Sequence, residues 1–508
     1  MKSYLMGIDI GTSACKVAVF GGGRLIACTM ASYRVFYPHP GWVEQNADEW
    51  WQGVCAAINE LFSKGISPSD IAAVGIDGQG WSAIAVDQGG SVLAPTPIWM
   101  DTRAAGLCKE VVQQIGLDAI FKVSGNPFSP SYTLPKVLYW KKHHPDILKK
   151  ASKILQSNSF IVYKLTGHIS QDYSQCYGWH NFDQRTLQYD HSLTREFGIP
   201  DSLLVDPVPC DAIVGRVTAK ASAECGLLAG TPVVAGGLDA ACATLGAGVV
   251  EKGQTQEQGG QAGGMSICVD RPLAHPRLIL SAHVVPGCWL LQGGSVCGGI
   301  LNWFNTQLGA AERDTARACN CSPYEIMSNE ADGIPPGSDG LILLPYMSGE
   351  RSPIWDPNAC GTYFGLGYDK TRAHMIRAAM EGVAYSLQHN LETASEVDAE
   401  VSELRAVGGA ANSIVWTQIK ADVTGKRIVV PSSDNATTLG AAMLAGMGIG
   451  CFDGYASAVA QYVRIEREQL PDAETVKKYV PYYRLYKDLY VQLKQSMETL
   501  SGIKGICI

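Results

Sequence analysis

A strand, a glycine-rich turn and a second strand occur twice in this chain, and this repetition constrains the fold more than any other feature of the sequence. The first copy consists of two predicted strands, Tyr4–Ile10 and Ala14–Phe20, around the turn at 11–13. Residues 258–270 repeat this outline after the segment 231–239, a predicted hydrophobic strand that ends in glycines and an acid. The second half of the chain therefore restarts the plan of the first.

Predicted strands and helices alternate along both halves, which is typical of the α/β class. The clearest helix is amphipathic and extends from Asn46 to about Phe62. A boundary near residue 248 divides the chain into an N-terminal domain, 1–248, and a C-terminal domain, 249–508. We expect two similar α/β domains with a cleft between them, where ligands commonly bind.

Composition and charge exclude several classes of protein. Lys and Arg number 40 and Asp and Glu number 48, so a net charge of −8 is spread over 508 residues, and the concentrated basic surface that binds nucleic acid is missing. No run of 18 apolar residues occurs, which argues against a membrane protein, and Asp9 comes too early for a signal peptide. The 16 cysteines are scattered without a Cys-x-x-Cys pair, so we expect reduced thiols in a cytoplasmic enzyme.

The first glycine turn is a candidate phosphate-binding loop. A Walker loop is excluded, because the only Gly-Lys dipeptide, at 425–426, lacks the first glycine and the hydroxyl of that motif. In the segment 9–13, Asp-Ile-Gly-Thr-Ser, successive N–H groups and two hydroxyls can surround an anion while the acid positions a cation. Lys16 could reach the same phosphate. A plain glycine turn and a solvated lysine remain the alternatives.

Six short motifs follow one another along the chain: Asp9-Ile10-Gly11-Thr12-Ser13, Pro97-Ile98-Trp99-Met100-Asp101-Thr102-Arg103, Gly236-Gly237-Leu238-Asp239, the segment 344–353, Gly361-Thr362-Tyr363-Phe364-Gly365-Leu366 and Gly408-Gly409-Ala410-Ala411-Asn412-Ser413. In order and spacing they resemble the FGGY family of carbohydrate kinases, and the resemblance extends from end to end. It implies an actin-like, ribonuclease H-like fold in each domain, with ATP and Mg²⁺ in the cleft. It also implies phosphoryl transfer to a hydroxyl of a sugar or polyol.

The resemblance implies a role for each matching residue. Asp239 is the expected general base that takes the proton of the attacking hydroxyl. Asp9 is the expected Mg²⁺ ligand, acting through water, with Asp239 as the second residue of the metal site. The expected ATP-binding residues are Gly11, Thr12, Ser13, Lys16, Gly260, Gln261, Gly408, Gly409 and Asn412. The expected sugar-binding residues are Gln79, Gly80, Trp81, Asp101, Arg103 and Asp239. A capping Asp239 and a helix-ending glycine pair at 408–409 are the alternatives.

Two segments depart from the family pattern. Gly80 and Trp81 stand where xylulokinases of the family carry Met and His, although the segment 38–45 is similar to those enzymes. Trp81 could stack on the apolar face of a sugar while Gln79 and Asp77 bond its hydroxyls, and a core tryptophan is the alternative. In the second glycine turn Gly260 is followed by Gln-Ala, so a hydroxyl is lost, and we expect phosphate binding with altered geometry.

The sequence therefore predicts an ATP-dependent sugar kinase whose partners are a small-molecule sugar and ATP. The resemblance favours a pentulose, D-xylulose first, as the phosphate acceptor. Another ketose or polyol is the alternative within the family. An actin-like nucleotide-binding protein without phosphotransfer is the alternative of a different class, and a homodimer is left open.

Overall fold

The computed structural model describes residues 3–432 and 435–504. The chain forms two compact units, each built from separated segments. The first unit comprises Met1–Glu251, Cys268–Leu290 and Asn435–Arg464, and the second comprises Lys252–Ile267, Leu291–Asp434 and Ile465–Ile508. A single domain boundary near residue 248 stays a prediction. The first compact unit also contains the segment Asn435–Arg464, which lies far beyond that residue in the sequence.

The strands are short to medium in length and occur throughout the described residues. Those before residue 251 are β1 (Tyr4–Ile10), β2 (Ala14–Gly21), β3 (Arg24–Ser32), β4 (Glu44–Gln45), β5 (Ile71–Gly78), β6 (Ile84–Val86), β7 (Thr96–Pro97), β8 (Lys153–Leu155), β9 (Gln171–Asp172), β10 (Phe182–Asp183), β11 (Gln188–Tyr189), β12 (Pro207–Val208), β13 (Ile213–Arg216), β14 (Pro232–Val234) and β15 (Gly237–Leu238). The later strands are β16 (Gln254–Gly259), β17 (Ala262–Val269), β18 (Ile279–Ala282), β19 (Trp289–Val296), β20 (Ile342–Leu344), β21 (Thr362–Phe364), β22 (Glu403–Val407), β23 (Arg427–Pro431) and β24 (Ile465–Gln469).

Helices separate most of these strands. The helices before residue 251 are α1 (Ala47–Ser63), α2 (Ala105–Ile115), α3 (Leu117–Ser124), α4 (Thr133–His143), α5 (Pro145–Lys150), α6 (Ser157–Thr166), α7 (Tyr173–Cys176), α8 (His191–Phe197), α9 (Ala219–Cys225) and α10 (Asp239–Gly246). The later helices are α11 (Gly298–Gln307), α12 (Ala310–Cys319), α13 (Pro323–Asp332), α14 (Arg372–Ser395), α15 (Ile414–Thr424), α16 (Ala436–Gly448), α17 (Tyr455–Tyr462) and α18 (Ala473–Lys504). None of the helices in the described ranges combines the length and the apolar character needed to cross a bilayer.

The two large sheets share one strand plan, as the repeated hairpin predicts. The first has the order β13-β14-β5-β1-β2-β3, with β15 added beside β5, and the second has the order β18-β19-β17-β16-β22-β23-β24. In each, an antiparallel hairpin, β1–β2 or β16–β17, is followed by a parallel strand, β5 or β22. The duplicated α/β fold expected from the sequence is therefore present.

Helix α1 illustrates how the local sequence builds the first unit. The side chain of Asn46 accepts a hydrogen bond from the Asp48 N–H and so satisfies a free donor at the helix start. Trp50, Val54, Ile58 and Leu61 follow at helical spacing, and all are buried in the core beside the first sheet. The predicted amphipathic helix is thus confirmed to within a residue at each end.

Helix α16 packs against the first sheet through glycine. A Cβ atom at Gly7 of β1 would lie 1.9 Å from the Thr438 carbonyl oxygen, and one at Gly75 of β5 would lie 1.9 Å from that of Ala441. Helix backbone and sheet backbone therefore meet directly, which only a residue without a side chain permits.

Candidate active site

Three carboxylates meet where strands of the first sheet end. Asp9 of β1 is paired in register with Asp77 of the parallel strand β5, and Gly237 of β15 is paired with Asp77 on the other side. Asp239 begins α10 directly after β15. Because parallel strands end at the same edge of a sheet, residues distant in sequence are brought together here, as expected for a ligand site in an α/β protein.

The Asp77 carboxylate is buried, and no N–H or O–H of the described residues donates to it; its contact is the carboxyl of Asp9. Burial, and then the charges of Asp9 and Asp239, raise the pKa of Asp77 well above its ordinary value. Burial also raises the pKa of Asp9, although Asp77 and the Lys16 ammonium act in the opposite direction. Burial followed by the charge of Asp9 raises the pKa of Asp239 to about 7. This edge of the sheet has an excess of negative charge that a cation or protons must compensate.

The carboxylates of Asp9 and Asp77 are suitable ligands for a magnesium ion that is bound to a nucleotide. The described residues contain no group of three or more His, Cys, Asp or Glu side chains arranged to hold a metal by themselves. Mg²⁺, however, keeps several waters and takes one or two carboxylates together with phosphate oxygens. Asp9 beside the unsatisfied Asp77 offers such hard oxygen ligands, and the Mg²⁺ roles of Asp9 and Asp239 stay predictions.

The predicted phosphate loop, residues 11–13, is the tight turn between β1 and β2, where the Gly11 N–H donates to the Ala14 carbonyl over 3.1 Å. The Gln45 amide donates to the Thr12 carbonyl over 2.8 Å, and the Trp99 indole donates to the Thr12 hydroxyl over 3.0 Å. Side chains from outside the hairpin thus hold the middle of the loop. Lys16 lies opposite Asp9 in the β1–β2 register, at the carboxylate cluster.

Trp81 belongs to an aromatic cluster rather than standing alone. Its ring stacks on Tyr132 with centroids 4.3 Å apart and meets the ring of Tyr177 edge-on at 5.7 Å. Its backbone has φ 62°, a strained value for a bulky residue. Gln156 accepts a hydrogen bond from the Trp81 N–H over 3.2 Å, and Lys136 donates to the Trp81 carbonyl over 3.0 Å. The half-buried ring is therefore held in a fixed position.

The other predicted sugar-binding residues are arranged in two groups. The Gln79 amide donates to Gln45 over 2.8 Å, and a Cβ at Gly80 would lie 3.0 Å from the side chain of Leu238, next to Asp239. The structure thus brings Gln79 and Gly80 to the same edge as the carboxylates.

Asp101 and Arg103 form a separate buried ion pair. Their shortest contact is 2.7 Å, and the side chains are 1% and 3% exposed. Arg103 also donates to Glu44 over 2.7 Å, and the Val43 N–H donates to Asp101 over 2.7 Å. These bonds fix the segment around residue 43, and direct sugar binding by the pair stays a prediction.

The second unit contains a cavity of about 750 Å³, within the usual range for small-molecule sites. Four of the predicted ATP-binding residues line it: Gly260, Gln261, Gly409 and Asn412. Gly408 packs against Gly259, another residue that lines the cavity. Its φ is +86°, and a Cβ there would meet the Gly259 carbonyl at 3.0 Å. The parallel strands β16 and β22 end side by side, which brings the two glycine segments together.

Sequence reasoning missed part of both sites. Tyr324, Ser328 and Asn329 of α13 also line the cavity, in a region where no helix was predicted. Tyr132 and Tyr177 of the aromatic cluster were not singled out either. No local pattern distinguishes such residues, because their role depends on elements distant in sequence.

Comparison with known proteins identifies the family of the chain. The FGGY family of carbohydrate kinases, N-terminal domain, matches residues 4–246, and its C-terminal domain matches residues 270–449. A gluconokinase from Bacillus licheniformis is 30% identical over 504 residues, covering 98% of this chain and 97% of its own. A xylulose kinase from Bacillus subtilis (strain 168) is 29% identical over 507 residues, 99% of each chain. The crystal structure of xylulose kinase from Rhodospirillum rubrum aligns with a TM-score of 0.90 and 27% identity, covering 97% of this chain and 100% of that chain.

The duplicated fold, the carboxylate edge and the glycine-lined cavity define an ATP-dependent carbohydrate kinase. The chain belongs to the FGGY family of carbohydrate kinases. The predicted family, the ribonuclease H-like fold and the enzyme class are thereby confirmed, and ATP and a sugar are the small-molecule ligands. The matches include both xylulose and gluconate kinases, so they leave the sugar undecided.

Proposed function

We propose that this kinase transfers the γ-phosphoryl group of ATP to a hydroxyl of a pentulose, most specifically D-xylulose. The observation that carries the proposal is the Asp239 carboxylate, which adjoins the aromatic cluster of Trp81 and has a pKa raised to about 7. A carboxyl with that pKa can accept the proton of a sugar hydroxyl near neutral pH.

The charges around the cluster favour a neutral sugar over gluconate. An aldonate carboxylate calls for a free Arg or Lys. Burial lowers the pKa of Lys136 to about 7, and its Nζ donates to three backbone carbonyls, those of Trp81, Ser131 and Tyr132. Arg103 is paired with two carboxylates, and Lys16 lies at the carboxylate edge. The neighbouring cations are therefore already engaged.

In the mechanism, the N–H groups of the glycine segments bind phosphate oxygens, and Trp81 and Gln79 orient the sugar. Asp239 then takes the proton of the attacking hydroxyl as the new O–P bond forms and the bond to the ADP oxygen breaks. When bound, Mg²⁺ supplies positive charge to the transferring phosphoryl group. Asp9 would hold it through water, with Asp239 nearby.

A coupled assay of ADP release tests the proposal on D-xylulose, gluconate, glycerol and further ketoses and polyols. We expect sugar-dependent release with the highest kcat/KM on D-xylulose, and loss of activity on chelation of Mg²⁺. A higher kcat/KM on gluconate would replace the proposed substrate with an aldonate. ADP release that no acceptor stimulates would reject the kinase reaction itself.

Replacement of Trp81 tests the sugar site. We expect Trp81→Ala to raise the KM of the sugar about tenfold or more while the KM of ATP hardly changes, because lost stacking costs about 1–2 kcal/mol. The matched control is Trp140→Ala in a buried hydrophobic cluster, which should lower stability by about 3–5 kcal/mol with an unchanged sugar KM. Should Trp81→Ala behave like Trp140→Ala, Trp81 is a core residue.

A further inference from the structure

We propose that His180 and the Tyr132 hydroxyl bind hydroxyl groups of the acceptor, and that these two groups select an uncharged ketose or polyol. This inference rests on the proposed function and adds two residues to its sugar site. His180 follows the 3₁₀ turn Tyr177–Trp179 and has φ 55°, so its backbone is held in the left-handed conformation that is uncommon for a residue other than glycine.

His180 is fully buried, yet neither of its ring nitrogens has a hydrogen-bond partner among the described residues. The ring lies between Phe128, at 4.7 Å, and Tyr132, at 4.5 Å between centroids. The Tyr132 hydroxyl is also buried and has no partner in the described part of the chain. Buried polar groups are nearly always paired, so these atoms require a partner that the protein itself does not provide.

Further unsatisfied atoms belong to the same part of the first unit. The side-chain carbonyl oxygens of Gln79 and Gln175 are buried and accept no hydrogen bond from the described residues. Gln175 itself donates to the Gly78 carbonyl over 3.0 Å, so it lies at the end of β5. A ligand with several hydroxyls supplies both donors and acceptors to such a set, as ordered water also does.

The aromatic cluster of Trp81, Tyr132 and Tyr177 connects His180 to the carboxylate edge. The Tyr132 ring, which contacts His180, also contacts Trp81 and, at 5.9 Å, Tyr177. Tyr177 in turn is close enough to Asp239 for the two to interact electrostatically. His180 is therefore separated by the Tyr132 ring from Trp81 and Tyr177, the aromatic residues near the proposed base.

The chemistry of the His180 ring limits the ligand class. Burial lowers the pKa of His180 to about 3, so the imidazole is neutral at physiological pH. A neutral ring has one donor and one acceptor nitrogen, and so has the donor–acceptor character of a hydroxyl. It carries no charge to balance a carboxylate or a phosphate. His180 and the Tyr132 hydroxyl thus suit an uncharged polyhydroxylated ligand.

His180→Phe tests the inference, with His283→Phe as the matched control. His283 is also a buried histidine of the first unit, but its ring is bonded to the Val249 carbonyl at 3.0 Å and accepts from the Val284 N–H over 2.9 Å. We expect His180→Phe to raise the KM of D-xylulose about tenfold, without changing the KM of ATP or lowering the Tm. His283→Phe should lower the Tm and leave both KM values unchanged.

A second variant and a binding measurement complete the test. His180→Gln retains a donor and an acceptor, so we expect it to restore much of the sugar affinity. Stabilisation of the chain by D-xylulose without ATP should decrease in His180→Phe and recover in His180→Gln. An unchanged sugar KM and unchanged stabilisation in His180→Phe would overturn the inference and indicate buried water only. Wild-type protein that phosphorylates no sugar would instead reject the proposed function.

Discussion

Asp239→Asn lowers kcat at least ~10²-fold, the scale of a general base, while the affinities for ATP and sugar stay close to those of the wild type. The change keeps the size of the side chain and removes only its ability to take a proton. It also removes one negative charge from an edge that contains three carboxylates, so the fold should tolerate it. Initial rates with saturating sugar and ATP give kcat, and calorimetry gives the two affinities.

A matched control separates this effect from the loss of any carboxylate in the first unit. Asp87 also lies in the first unit, and it accepts hydrogen bonds from the Gly89 and Ser91 N–H groups in a turn. Asp87→Asn should leave kcat unchanged. A kcat near the wild-type value in Asp239→Asn would remove Asp239 from the mechanism.

Lys420→Met destabilises the second unit by about 3–5 kcal/mol, because it leaves a buried carboxylate without its counter-charge. The Lys420 ammonium is 2.6 Å from Glu257, with the two side chains 0% and 4% exposed. Its other neighbours are the Cys297 sulfur at 3.9 Å and the face of Trp416 at 5.0 Å. The second Glu257 oxygen has no partner among the described residues, so Lys420 provides most of the compensation.

Urea denaturation of three variants resolves the contribution of the pair. Lys420→Met with Glu257→Gln should recover much of the stability, because the unpaired charge is then gone. Lys477→Met removes an exposed ion pair with Glu474 and should change stability by less than about 1 kcal/mol. A loss below about 1 kcal/mol in Lys420→Met alone would mean that Glu257 finds another partner.

We expect the Lys420–Glu257 ion pair to affect nucleotide binding as well. Glu257 lies two residues before Gly259, and Trp416 lines the cavity together with Gly259. We expect the KM of ATP to rise in Lys420→Met and to fall again in the double variant.

Elements formed by local sequence could be predicted closely. Strand β1 has the predicted bounds, and α1 begins one residue after its capping residue, Asn46. The segment 231–239, predicted as one strand, is instead broken at Gly236, where φ is +77° and a Cβ would lie 1.7 Å from the Ile76 carbonyl. That interruption results from contact with β5, which a pattern of apolar residues does not encode.

The candidate sites divide in the same way. The glycine segments and Asp239 are visible in sequence, because their chemistry depends on a few consecutive residues. The contact of Asp77 with Asp9 follows from strand pairing, and the ion pair of Lys420 with Glu257 joins residues 163 positions apart. Such juxtapositions are set by topology, so the composition of either segment alone could not indicate them.

The glycine contacts of α16 make the order of synthesis matter for this enzyme. Strands β1 and β5 are translated more than 350 residues before the helix whose backbone rests on Gly7 and Gly75. Until then the backbone at Gly7 and Gly75 lacks the helix that packs directly on it. A chain that ends before residue 436 therefore lacks a helix that belongs to the first compact unit.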